Sequence, residues 1–245
     1  MKPMNTRLPL DQHVDILAIG ISPADIESSV GGILLKMAHR GYTSVVCDLT
    51  QGMQHVQEDH PLWSEATEKA SKILHISDRV NLNLGDSPFD LKMDQAQKLA
   101  ECLSLYRPDI VLAPYWEDGH PERTLANQLI HKALYMIRHK GDTKLKSHAS
   151  SWVFYYPLNS TIIPQVIVNI TSTFEGKMAS VKAYESYFRK IPFHPSLLSR
   201  SYKDFIFHIE SGMRHFGSLI NSRFGEGLIL GHPIPIEDIC EFITL

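Results

Sequence analysis

Apolar positions along the chain fall alternately into short continuous blocks and into helically spaced stripes. The run Val14-Asp-Ile-Leu-Ala-Ile-Gly20 is short, β-branched and closed by glycine, which predicts a strand. From Asp25 to His39 the apolar residues recur at the spacing of one helix face, and Gly41 supplies a stop just beyond. Thr43-Ser-Val-Val-Cys-Asp-Leu49 reads as a second strand, so the first part of the chain is a βαβ unit with parallel pairing and a right-handed crossover. The alternation continues with a helix over Pro61 to His75, a strand over Val80 to Leu84, a helix over Leu91 to Tyr106, a strand over Ile110 to Ala113 and a helix over Pro121 to His139. Further strands are predicted at Trp152 to Tyr156 and Gln165 to Ile170, and helices at Phe174 to Arg189 and Tyr202 to Asn221.

This order specifies the α/β class: a Rossmann-like, doubly wound, mostly parallel sheet flanked by helices. Such sheets bind ligands beyond the carboxyl ends of their strands, which directs attention to Ile21 to Ile26, Thr50 to His60, Gly85 to Asp90 and Pro114 to Thr124. No repeat, low-complexity tract or linker divides the chain, so residues 1–245 are read as one domain with 1–12 as a flexible lead. A chain of 245 residues buries enough surface to fold without a disulfide or structural metal.

Composition narrows the function. With 27 acidic against 24 basic residues the net charge is -3, which offers no basic stripe for nucleic acid. No apolar window is long enough for a membrane span, and no leader pattern is seen. Cys47, Cys102 and Cys240 are odd in number and far apart, which suits buried, unpaired thiols and a cytoplasmic setting. The one surplus is histidine, with 13 residues, and histidine is both the commonest metal ligand and the usual general acid or base. A dinucleotide site is not expected, because Pro23 and Ala24 occupy the turn where glycines must meet a pyrophosphate, and no Walker-type Gly-Lys-Ser/Thr is present.

A set of pieces in a fixed order then becomes informative. Asp15-Ile-Leu-Ala-Ile-Gly20 precedes an x-Pro-x-Asp loop and Gly31-Gly32; Asp48-Leu49-Thr50-x-Gly52 and Arg107-Pro108-Asp109-Ile-Val-Leu-Ala-Pro-Tyr115 follow. Glu117-Asp118-x-His120-Pro121, Arg214-His215-Phe216-Gly217-Ser218-Leu219-Ile220 and Phe224-Gly-Glu226 complete the series. Through these, the chain resembles the LmbE/PIG-L family of zinc-dependent N-acetylglucosaminyl deacetylases over roughly Val14 to Asp238. Within the family it is most similar to the branch that deacetylates N-acetylglucosaminyl malate in bacillithiol biosynthesis.

The resemblance implies a zinc site whose residues are largely replaced here. The family's His-Pro-Asp-Asp motif supplies a zinc-binding His, a general-base Asp and a zinc-binding Asp; this chain has Ser22-Pro23-Ala24-Asp25. A neutral serine is a poor zinc ligand, and alanine transfers no proton. The family's second motif, His-Pro-Asp-His, becomes His120-Pro121-Glu122-Arg123: the oxyanion-type His120 is kept, while the third ligand is a permanent cation. The family's Thr-Arg-Gly-Glu is Thr50-Gln51-Gly52-Met53, and the arginine usual before the second motif is Gly119.

The expectation is therefore a PIG-L-like protein without bound metal or cofactor, catalytically degenerate, that binds a sugar-like small molecule or a protein partner and self-associates as a homo-oligomer. His120 is the retained catalytic candidate; Ser22, Asp25, Arg123 and Arg214 are the candidate ligand-binding residues. Asp25 and Arg123 are expected to pair across the replaced metal site, since a buried carboxylate needs an opposite charge. Two alternatives remain open. Zinc held by substitutes such as His120 and the His55 to His60 loop would give an active deacetylase, and Ser22 approached by His120 would give a nucleophilic hydrolase. His131 with His139, and His208 with His215, lie about two turns apart and are read as surface or interface residues; Tyr184, Tyr187 and Phe188 are read as core or subunit contacts.

Overall fold

The structure is a computed structural model, and it describes residues 13–52, 60–85, 92–117, 121–139, 152–157, 162–189, 201–235 and 237–238. Strands β1 (Ile16–Gly20), β2 (Ser44–Asp48), β3 (Asp78–Asn81), β4 (Ile110–Pro114), β5 (Trp152–Tyr156), β6 (Val166–Asn169) and β7 (Gly225–Leu230) form one sheet in the order β3-β2-β1-β4-β5-β7-β6. The first five are parallel; β7 returns antiparallel to both β5 and β6. The expected mostly parallel, doubly wound α/β sheet is what the chain adopts.

Side-chain alternation along each strand separates two cores. Leu17 and Ile19 of β1, with Val45, Cys47, Val111 and Ala113, pack under α3 (Met93–Tyr106) and α4 (Pro121–Arg138). Ile16 and Ala18, with Val46 and Leu112, face α1 (Asp25–His39), α5 (Phe174–Lys182) and α7 (Tyr202–Leu219). Because both faces are covered, the central strands are apolar at nearly every position, and this is why they read as continuous blocks in the sequence. A third cluster joins Ala24 to Trp63, Ala66 and Ala70 of α2 (His60–Ile73) and to Tyr184 and Tyr187.

Several expected bounds shift for local reasons. The strand expected over Val80 to Leu84 is regular only over Asp78–Asn81, because Asn83 takes a left-handed φ of 48°. The amides of Leu82 and Leu84 still donate to Asp48 and Leu49, so the segment continues alongside β2. The helix expected over Phe174 to Arg189 divides into α5 and a short α6 (Glu185–Phe188), with the buried Tyr184 at the junction. β7 was not expected as a strand at all. Its Gly225 and Gly227 dilute the β signal, and both are demanded by packing: a Cβ on Gly225 would stand 2.8 Å from Ile167, and one on Gly227 2.9 Å from Pro164.

Cys47 and Cys102 are buried, unbridged thiols as expected, with their sulfurs 3.8 Å apart across the β2–α3 interface. Cys240 lies outside the described residues, as do the polar stretch from 140 to 147 and the lead 1–12. Among the described residues no helix is long and apolar enough to cross a membrane.

Gly32 is a point of close approach between α1 and the rest of the fold. A Cβ there would lie 2.7 Å from the Ile170 Cδ1, 3.0 Å from a Glu226 carboxylate oxygen and 3.1 Å from the Ile170 Cβ. Gly32→Ala should therefore lower stability by about 1–2 kcal/mol, overpacking outweighing the gain in helix propensity. Gly212→Ala on α7, with nothing within 4 Å of its added methyl, should raise stability by up to ~1 kcal/mol. Urea unfolding of the two variants checks the contrast.

Candidate functional site

The strand order reverses between β1 and β4, and in an open α/β sheet such a switch point opens a crevice at the carboxyl ends of the strands. The loop leaving β1 carries Ser22, Pro23 and Ala24 into α1, whose first residue is Asp25; beyond β4, α4 begins at Pro121 and places Arg123 in its first turn. The topology thus brings together residues far apart in sequence.

Asp25, the first residue of α1, is partly buried at this end of the sheet. Its carboxylate accepts the backbone amides of Ile21 and Ser22 at 3.1 and 3.2 Å, which ties the loop back onto the start of the helix. Burial raises its pKa above the ordinary carboxylate value, the Arg123 charge and the two amides pull it down again, and Glu27 pushes it up. Arg123 is itself buried, at 6% exposure, in the first turn of a helix, where the macrodipole disfavours a cation. The Asp25 carboxyl, whose pKa the Arg123 charge lowers, supplies a favourable opposite charge. The Arg123 charge thus acts on the Asp25 carboxyl, and the described hydrogen bonds of Asp25 go to the backbone.

Ala24 occupies the position between Ser22 and Asp25 in a conformation that suits few side chains. Its φ of 79° and ψ of -16° are left-handed, it precedes α1 without a side-chain cap, and its methyl is buried in the Trp63, Ala66 and Tyr187 cluster. The Trp63 ring lies tilted against Tyr187 at 4.1 Å and edge-on to Tyr184 at 5.4 Å, and its buried indole N–H has no partner among the described residues. On the other side Gly52, with φ 89°, lets the loop after β2 lie close: a methyl there would touch Trp63 at 3.2 Å and Ser22 at 3.8 Å. Thr50 anchors this loop, its amide and hydroxyl both donating to the Ile21 carbonyl.

Behind the crevice lies a buried ionic network. The Arg79 guanidinium donates to both oxygens of Asp48, at 2.7 and 3.0 Å, and to Glu27 at 2.5 Å; Tyr184 donates its hydroxyl to the same Glu27 oxygen at 2.9 Å. Glu27 and Asp48 are fully buried. Burial pushes the Asp48 carboxyl up to about 6 even against Arg79, helped by the neighbouring Glu27 and Asp25. Three carboxylates and two guanidinium groups thus share the carboxyl end of β1 and β2. A second buried pair, Lys177 with Glu226, closes 2.5 Å apart between α5 and β7.

The candidate residues divide between these places. Ser22 and Asp25 share a hydrogen bond in the loop that leaves β1, and the charge of Arg123, in the first turn of α4, is felt at Asp25. Arg214 is on α7, half-exposed, forked onto Glu210 and lying over the Phe224 ring. His120 and the loop from 53 to 59 lie outside the described residues, and so does the side chain of His60. His131 is on the surface, as expected, and shares a hydrogen bond with the Tyr155 hydroxyl; His139, also exposed, stacks on Tyr135. Tyr184 and Tyr187 are core residues, as expected. Glu27, Asp48, Arg79 and Lys177 were not singled out from the sequence. Each was a lone charge within an element, and its partner comes from another part of the chain.

Residues 17–134 match the family model of the PIG-L GlcNAc-PI de-N-acetylases. Among solved structures, a conserved protein of Thermus thermophilus superposes with a TM-score of 0.81 at 25% identity, covering 92% of this chain and 98% of that one. The N,N'-diacetylchitobiose deacetylase of Pyrococcus horikoshii gives a TM-score of 0.75 at 20% identity, over 92% of this chain and 88% of that one. The 4-carboxy-2-hydroxymuconate hydratase of Pseudomonas putida gives 0.75 at 18% identity, over 92% and 99%. The chain has the PIG-L/LmbE deacetylase fold.

The backbone at Ala24 yields a stability test. Removing a buried alanine methyl from a helix interior, as in Ala100→Gly, should cost about 1–2 kcal/mol. At Ala24 the relief of left-handed strain offsets that loss, so Ala24→Gly should stay within about 0.5 kcal/mol of the parent in denaturant unfolding.

Proposed function

We propose that this chain uses the PIG-L deacetylase fold to bind a sugar-like ligand at the switch-point crevice, without holding zinc and without hydrolysing an acetamide. The observation that carries the proposal is the chemistry gathered around Asp25. Zinc needs deprotonated N, S or O donors in a closed or nearly closed set. The positions that correspond to the family's three ligands hold a hydroxyl, a carboxylate engaged by two backbone amides, and a buried guanidinium. Only one of them is a ligand, and the cation at the third position takes the electrostatic place that a metal would fill. The residues present do not fit the ion.

The base position supports the same conclusion. Ala24 accepts no proton, and its methyl faces an apolar aromatic cluster. Loss of a metal-activated water and of its base each removes a separate share of barrier lowering, so hydrolysis should fall by many orders of magnitude. What remains is a donor and acceptor set, Ser22, Asp25 and Arg123, suited to hydroxyl and carbonyl groups. On this proposal the bacillithiol-branch resemblance describes the ancestral substrate class, an N-acetylglucosaminyl conjugate. Fold alone does not decide the chemistry, since the similar Pseudomonas putida protein is a hydratase.

The test is metal analysis of protein purified without chelator from zinc-supplemented cells, alongside deacetylation of N-acetylglucosaminyl malate. The expected result is substoichiometric zinc and no turnover. Stoichiometric zinc with turnover would instead establish a zinc hydrolase with substitute ligands, His120 and the His55 to His60 loop being the first to examine. Restoring the family residues with Ser22→His, Ala24→Asp and Arg123→His should create zinc binding detectable by competition with a metal indicator, whether or not activity returns.

A further inference from the structure

Helix α7 carries an apolar surface that neither the core nor the crevice uses. Ile209, Met213 and Gly217, four residues apart, are its buried positions, and Ile209 and Met213 pack into the core between α1, α5 and the sheet. On the opposite side the same spacing gives Phe207, Ser211, His215 and Leu219. Phe207 is 73% exposed and Leu219 53%, and Ile220 at the cap is exposed as well. The other exposed large apolar side chains among the described residues come singly: Tyr42, Met93, Tyr135, Ile163 and Ile234 belong to five different segments. An exposed phenylalanine and an exposed leucine on one stripe of one helix mark a contact surface.

The order of residues along this stripe matches it to itself. An antiparallel copy of α7, related by a twofold axis level with Met213, sets Phe207 against Leu219 of the second copy and Ser211 against His215 of the second copy. Apolar ends then meet apolar ends, and a hydroxyl meets an imidazole that can bond to it. Residues four apart form the ridge that interlocks in the commonest class of helix crossing, so this register needs no distortion of either helix. Gly212, beside Ser211, suits a close crossing: an added methyl there would meet nothing within 4 Å, so no contact among the described residues demands a glycine in mid-helix. Charge agrees with the same arrangement. Asp204 is exposed in the first turn of α7, and Arg223 is exposed just past its end. Arg223 lies over the Phe224 ring at 5.3 Å and has no carboxylate partner among the described residues. The antiparallel register brings Arg223 beside Asp204 of the second copy and Lys203 to the negative end of the second helix.

We propose that this face of α7 is an interface between two copies of the chain: a twofold helix pair that crosses between Ser211 and His215, with Phe207 and Leu219 as reciprocal anchors and Arg223 paired to Asp204 at each end. A different protein would place no such condition on the two ends of one stripe. The interface rests on none of the residues of the switch-point crevice. A single helix pair buries less than the roughly 1,200 Å² of a stable interface, so the dimer is weak and forms at roughly micromolar concentration.

The experiment is sedimentation velocity of the full chain from about 1 to about 200 µM, repeated on Phe207→Lys, on Leu219→Glu and on the double variant. Both side chains are more than half exposed, so each variant should fold with an unchanged melting temperature in dilute solution. The expected result is a reversible monomer–dimer equilibrium in the parent and at least about tenfold weaker association in each single variant. In the double variant the introduced charges are of opposite sign and meet across the twofold, so association should recover at least about tenfold over either single variant. A parent that stays monomeric or assembles only as a trimer would overturn the interface, and so would association that either single variant leaves intact. A double variant no tighter than the single ones would overturn it too, because positions 207 and 219 would then not face each other.

Discussion

A carboxylate partly withdrawn from water at the topological switch point needs hydrogen bonds and opposite charge, and at Asp25 the fold supplies both. Two backbone amides from the β1–α1 loop lower the cost of the buried anion, and Arg123 supplies the counter-charge from the first turn of α4. The arginine sits where a helix macrodipole is unfavourable to it, which makes its dependence on Asp25 mutual. On the proposed function this is how a fold used elsewhere by deacetylases closes its crevice electrostatically without a metal ion.

The other buried charges obey the same accounting. Arg79 serves Asp48 and Glu27 together, and Tyr184 adds a hydroxyl to Glu27; Lys177 serves Glu226, which also takes two amides in the middle of α1. These groups sit at the junctions between elements, so they fix how α1, α2 and α5 meet the sheet. Burial, with Glu27 and Asp25 nearby, raises the Asp48 pKa, and the Arg79 guanidinium opposes the shift. Walls held by such buried pairs keep their shape whatever residues the adjoining loops carry.

Much of this was legible in the sequence, and the boundary is physical. Continuous apolar blocks marked the central parallel strands because both of their faces are covered, and the stripe from Asp25 to His39 fixed α1 to its first and last residues. β7 escaped notice because Gly225 and Gly227 serve close approach, not strand propensity. The break at Tyr184 escaped because the helix pattern runs through it, and the break follows from tertiary contacts. Ser22, Asp25 and Arg123 were singled out as candidates by their order in the chain. The pairs of Arg79 with Asp48 and Lys177 with Glu226 were not, because no local pattern tells a charge destined for burial from one on the surface.

The central claim is that Arg123 neutralises Asp25 through space, and a double-mutant cycle tests it most directly. Stability would be measured at neutral pH for the parent, Asp25→Asn, Arg123→Met and the double variant. The account predicts a coupling free energy of at least about 1 kcal/mol, with each single variant losing more than the pair explains additively. Additivity within about 0.3 kcal/mol would contradict it, showing that the two residues are neighbours in the crevice without being partners.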